Sequence, residues 1–163
     1  DSDSVVGSAG TVNFGDGLSV SPVSAGVVTV TASGGSLQSR TIVSASTTSI
    51  ADDAVGFTTA AGFKAYTLMK VGVSTAAWIR IYTDSTSRAN DSSRSVGEDP
   101  SPGSGVIAEV VTTGISTQQM ITPFAMGGNM DDPVSNVIYL AIKNLSGSTQ
   151  TITANLTILQ LEA

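Results

Sequence analysis

A chain of 163 residues and 16.4 kDa suits one ordinary domain or a small head with a short appendage. Seven Lys and Arg against thirteen Asp and Glu give a net charge of −6 and no electrostatic footprint for nucleic acid, and charged residues fill only 12 % of positions, about half the usual ~25 %. His and Cys are absent, which excludes Ser–His–Asp and Cys–His nucleophile systems, His- or thiolate-bound zinc, haem and iron–sulfur ligation, and any disulfide framework.

Ser (24), Thr (20) and Gly (17) dominate the polar positions, whereas Leu, Ile, Val and Phe still supply about a quarter of the chain, enough to form a core. Val (18) outnumbers Leu (8), and short apolar runs are punctuated by Gly, Ser, Asn, Asp and Pro with no sustained 3.6-residue stripe. An all-β chain follows. No run of about 18 apolar residues is present, so no membrane insertion is expected, and the opening Asp-Ser-Asp-Ser does not read as a signal peptide.

Residues 1–40 form a distinct first segment. Phe14-Gly15-Asp16-Gly17-Leu18-Ser19-Val20 reads as a short strand in which Leu18 and Val20 alternate with Ser19, Ser21-Pro22-Val23-Ser24-Ala25-Gly26 as a turn, and Val27-Val28-Thr29-Val30-Thr31-Ala32 as a second strand closed by Ser33-Gly34-Gly35. Such a pair is marginal in water, and with Phe14 as its one large side chain it cannot make its own core. Neighbouring copies of the chain are the simplest partner. The pattern Gly15-Asp16-Gly17-Leu18-Ser19-Val20, a turn with Gly26, then Val27-Val28-Thr29-Val30 resembles one repeat of the fibre shafts of adenovirus-type viruses and bacteriophage tails. That resemblance implies a homotrimer in which three chains wind together. An ordinary hairpin at a domain edge is the competing reading.

Residues 41–163 carry eight expected strands: Thr41–Ala45, Gly56–Ala60, Lys64–Val73, Ala76–Thr83, Val106–Thr113, Gln118–Phe124, Asn136–Lys143 and Thr149–Leu161. Eight strands with turn signals between them predict a β-sandwich, jelly-roll-like, as a head domain. In the last strand Ile152, Ala154, Leu156 and Ile158 face one way and Thr and Asn the other. Between the fourth and fifth strands, Asp84–Gly105 is almost free of apolar residues and holds Asp84, Arg88, Asp91, Arg94, Glu98 and Asp99. A connection that long is expected to be a hydrated, functional or flexible loop.

Ala77-Trp78-Ile79-Arg80-Ile81-Tyr82-Thr83-Asp84, the Arg88/Arg94 segment, Asp99-Pro100-Ser101-Pro102-Gly103-Ser104-Gly105-Val106-Ile107-Ala108-Glu109 and the ending Thr157-Ile158-Leu159-Gln160-Leu161-Glu162 resemble β-rich domains of virion structural proteins from tailed phages, marine cyanophages especially. The resemblance spans roughly residues 60–163. It implies a virion location, as a fibre or appendage, rather than a defined chemistry.

Trp78, Arg80 and Tyr82 share one face of a strand, opposite Ala77, Ile79 and Ile81. Exposed, they would stack a sugar ring as an aromatic and guanidinium platform; buried, Arg80 would snorkel to an edge or pair with a carboxylate. The acidic pairs Asp52-Asp53, Glu98-Asp99 and Asp131-Asp132 lie beside Gly, Pro and Ser in expected turns, where Asp bonds nearby amides. Neither a glycosidase pair nor an Asp-x-Asp-x-Asp-Gly calcium ladder emerges, so no enzymatic activity, cofactor or metal is expected. Asn90, Asn144 and Asn155 head Asn-x-Ser/Thr triplets that arise by chance in a chain this rich in Ser and Thr. These readings together predict a homotrimeric fibre or appendage tip that contacts other virion proteins and a host-surface glycan. A capsid decoration protein and a stand-alone carbohydrate-binding module are the alternatives.

Overall fold

The computed structural model describes residues 18–22, 24, 26–32, 38–114 and 118–163. The chain divides into two compact units, Asp1–Leu37 and Gln38–Ala163. In the first unit β1 (Leu18–Val20) pairs antiparallel with β2 (Val30–Ala32), Leu18 opposite Ala32 and Val20 opposite Val30. Ser24 and Val27 bridge across the turn, where Gly26 takes φ +79°. The second strand is therefore shorter than Val27–Ala32. Phe14, Gly15-Asp16-Gly17 and Ser33-Gly34-Gly35 lie outside the described residues.

The second unit begins before the expected boundary at residue 41, because Arg40 already opens β3 (Arg40–Ser46). It continues through β4 (Val55–Ala61), β5 (Ala65–Val73), β6 (Ala77–Tyr82), α1 (Ser85–Asn90), β7 (Val106–Thr112), β8 (Gln118–Gly128), β9 (Val137–Asn144) and β10 (Thr153–Glu162). Two four-stranded antiparallel sheets form, in the orders β3-β10-β5-β8 and β4-β9-β6-β7. Successive strands change sheet except at β6–β7, which gives the eight-stranded double-sheet arrangement of a jelly roll. The all-β sandwich read from the sequence is the fold of this unit.

Period-two alternation explains what fills the space between the sheets. Ile152, Ala154, Leu156 and Ile158 of the last strand and its approach are fully buried, as are Leu68, Val71, Leu140 and Ile142. Ile79 and Ile81 point from β6 into the same core. Each such Ile, Leu or Val side chain stabilises the fold by roughly 1.5–3 kcal/mol.

Two expectations about element ends change. The last strand starts at Thr153 rather than Thr149, since Gln150 is occupied by an isolated bridge to Ile50. β8 runs on to Gly128 because Gly127 pairs with Tyr66, whose ring lies where a Cβ on Gly127 would fall. Glycine there lets the aromatic ring seat against the strand.

Candidate functional site

The outer face of the β4-β9-β6-β7 sheet holds Trp78, Arg80 and Tyr82 on β6, as their alternation requires, together with Phe57 on β4, Tyr139 on β9 and Glu109 on β7. Trp78, Arg80 and Tyr82 are at most 1 % exposed. Of the two readings of this face, the sugar-stacking platform is overturned by the burial and the buried Arg80 paired with a carboxylate is the arrangement found, because Asp91 and Arg94 from the connection that follows α1 lie over all three.

Asp91 organises that cover. Arg80 Nη1 donates to its carbonyl at 2.6 Å and to Oδ2 at 3.2 Å, the Tyr82 hydroxyl donates to Oδ2 at 2.7 Å, and Arg94 Nε donates to Oδ1 at 2.8 Å. Arg94 then reaches Glu109 at 2.8 Å. The Arg80 and Arg94 guanidinium carbons sit 4.1 and 4.9 Å from the Trp78 ring centroid. Burial favours the protonated form of Asp91, but the hydrogen bonds from Arg94 and Tyr82 and the two guanidinium charges outweigh it and hold the carboxyl below its usual range. Burial likewise works against the charge on Arg94, and Asp91 and Glu109 more than offset it. Tyr82 is pushed up, first by burial and then by its bond to Asp91.

Asp84–Gly105 is exposed along most of its length, as the hydrated-loop reading has it, but it carries α1 and is fastened to the sheet at Asp84, Arg88, Asp91 and Arg94. Asp84 caps α1, its carboxylate accepting from the Ser87 amide at 2.8 Å and the Ser87 hydroxyl at 2.7 Å. From α1, Arg88 extends over Phe57 and Tyr139, 4.9 and 5.1 Å from their centroids, and donates to the Thr58 carbonyl at 2.8 Å. Three arginines thus fasten a polar segment across an aromatic sheet face through cation–π contacts and one central carboxylate.

The acidic pairs serve turns. Asp52 accepts from the Gly147 amide, Asp53 pairs with Lys143 at 2.7 Å, and Glu98 accepts from the Ser95 amide. Asp131 accepts from Asn129, Tyr139 and Ser135, which lower its pKa against a smaller opposing effect of burial. A carboxyl depressed in this way is unsuited to donate a proton as a general acid near neutral pH. Of the three Asn-x-Ser/Thr triplets, Asn144 is fully buried and its amide donates to the Ile50, Ala51 and Ser148 carbonyls, so it is closed to glycan attachment.

The opposite sheet carries a depression of about 410 Å³ on its outer face, floored by Gly72 and lined by Ile42, Lys70, Gln118, Asn155 and Thr157. Its walls are tied by Ser44 to Asn155 at 2.7 Å and Lys70 to Gln118 at 3.1 Å. Composition signalled none of this, because the lining comes from four strands far apart in the sequence.

The depressed carboxylates set the acid behaviour. Asp84, Asp91 and Asp131 all have lowered pKa values in the fold, so the unfolded chain takes up protons first as pH falls. Their stabilisation is complete above the unfolded value near ~3.9 and is lost as pH drops through the lower folded values. With no His to titrate, the melting temperature is expected to be nearly flat from about pH 8 to 5 and to fall steeply below about pH 4. A thermal melt series across pH 2–8 checks this, and an unchanged melting temperature at pH 2.5 would contradict it. In comparison with known proteins, no family model matches the chain and no curated protein matches it.

Proposed function

We propose that this protein is a structural component of a tailed-phage virion, a homotrimeric fibre or appendage tip that attaches to the host surface. One observation carries the reading: every described residue of the first unit with an assigned exposure is exposed, including Leu18, Val20, Val27, Val28 and Val30 at 40–64 %. Two three-residue strands are unstable alone, and the side chains that their described residues leave in water are β-branched and aliphatic ones that gain from burial. Wrapping with the same segment of two further copies supplies that burial. The jelly-roll unit supplies a rigid head, and its polar depression around Gly72 offers amide, hydroxyl and ammonium groups for weak contacts with a surface glycan. Three heads held together multiply such contacts through avidity.

Native mass measurement of the full chain at micromolar concentration is expected to give three copies, about 49 kDa. A monomer under those conditions would overturn the trimer and, with it, the fibre-tip reading.

A further inference from the structure

Two transverse rows of side chains cross the outer face of the β3-β10-β5-β8 sheet. One runs Ser44–Asn155–Gly72–Gln118 and the next Ile42–Thr157–Lys70–Met120, each residue opposite its neighbours on the adjoining strands. Gly72 interrupts the first row, and the depression of about 410 Å³ opens over it, within the ~300–1,000 Å³ of small-ligand sites. Neither common reason for a strand glycine holds at this position. Its φ is not positive, and a Cβ built on it would stand 3.6 Å from Gln118 Cγ and 3.9 Å from Asn155 Cβ, ordinary contact distances. The fold could therefore carry a side chain there and be spared the entropic cost of glycine. What glycine provides instead is a backbone that a ligand can approach closely.

The groups around that space are mostly donors. Lys70 Nζ donates to Gln118 Oε1 at 3.1 Å, Ser44 Oγ donates to Asn155 Oδ1 at 2.7 Å, and the Thr153 amide donates to Ser74 Oγ at 3.0 Å. These bonds engage the acceptor oxygens of Gln118, Asn155 and Ser74. The NH₂ groups of Gln118 and Asn155, the Ser74 hydroxyl proton and the remaining N–H groups of Lys70 have no partner among the described residues. The Thr157 hydroxyl serves in either role. Arg80, Arg94 and Lys143 are each matched by a carboxylate, whereas Lys70 is matched by none among the described residues.

Donors that converge on one space call for a group that only accepts, and an ionised carboxylate does so through two oxygens. One ammonium also balances its single charge, where a phosphate would bring about −1.5 to −2. Beyond Thr157, Ile42 is 62 % exposed and gives the C–H face of a ring an apolar neighbour. We infer that the depression takes a uronic-acid unit of a surface polysaccharide. Its carboxylate is received by Lys70 and the Gln118 amide, and its ring lies over Gly72 with hydroxyls toward Asn155 and Thr157. This rests on the surface-glycan contact proposed above and names the class of sugar.

Nuclear magnetic resonance titration of the full chain tests it, with glucuronate, glucose and acetate as probes and the side-chain amide signals of Gln118 and Asn155 as the readout. Glucuronate is expected to shift both amides and to bind about tenfold or more tightly than glucose. Lys70→Gln is expected to bring glucuronate down to the level of glucose. Gly72→Val is expected to weaken both sugars while its melting temperature stays at or above that of the parent. Glucose binding as tightly as glucuronate, or glucuronate binding unchanged by Lys70→Gln, would overturn the acidic class and leave a glycan site. Acetate binding as tightly as glucuronate would take the ring out of the site and overturn the sugar. No shift with either sugar would overturn the site altogether, while the homotrimer, read by native mass, is decided separately.

Discussion

Asp91→Asn is expected to destabilise the head by about 3–5 kcal/mol, a large part of the ~5–15 kcal/mol that holds a domain together. Arg80 is fully buried, and its hydrogen bonding consists of two Nη1 contacts to Asp91, while its Nε and Nη2 have no partner among the described residues. An amide keeps one acceptor for Tyr82 or Arg94 but cannot neutralise the guanidinium. The Trp78 ring 4.1 Å from that guanidinium offers only quadrupole attraction, worth a fraction of what an uncompensated buried charge costs. In thermal melts the midpoint should fall by roughly 10–20 °C. Arg80→Met in the same background removes the stranded charge and should recover most of the loss, since an apolar replacement for a buried pair is often near neutral. A single variant melting within about 2 °C of the parent would show that the charge is solvated after all.

Gly105→Ala should cost about 2–4 kcal/mol through two separable causes. Gly105 sits at φ +72°, where an L side chain is strained by roughly 1–2 kcal/mol, and its Cβ would fall 2.3 Å from Ser87 Oγ and 2.6 Å from Thr83 Oγ1. Those hydroxyls are engaged with Asp84, the cap of α1, and the Gly105 carbonyl accepts from the Thr83 amide. The end of the polar segment is thereby closed onto its beginning, so crowding there loosens the cover over Trp78 as well as the turn. Urea unfolding is the measurement. Ser87→Gly in the Gly105→Ala background relieves the Ser87 contact but leaves the Thr83 contact and the strain, and is compared with Ser87→Gly alone because glycine costs about 1 kcal/mol in a helix. A Gly105→Ala loss as large in that background as in the parent would assign the effect to the backbone and the Thr83 contact.

The two variants mark where the sequence was legible and where it was not. Eight strands of the head could be read because β-branched runs, period-two alternation and turn residues are local, and Ile152, Ala154, Leu156 and Ile158 are buried as that alternation implies. Asp84–Gly105 was legible as an exposed polar segment but not as an anchored one, because its residues are polar one by one; nothing local says that Arg88 stacks on Phe57 and Tyr139, some thirty and fifty positions away. The shared face of Trp78, Arg80 and Tyr82 was visible in the sequence, but not which way it was covered. Asn144 looks like any Asn-x-Ser triplet until its amide is seen to hold three carbonyls across a turn.

By itself, then, the sequence determined the all-β class, the strand sites and their inward faces, because side-chain period and β-branching act over a few residues. Only the tertiary structure decided that the most charged connection becomes the cover of an aromatic sheet face. A guanidinium such as Arg80 can be buried only if a carboxylate arrives to meet it, and Asp91 arrives through the fold of α1 rather than through any pattern in β6.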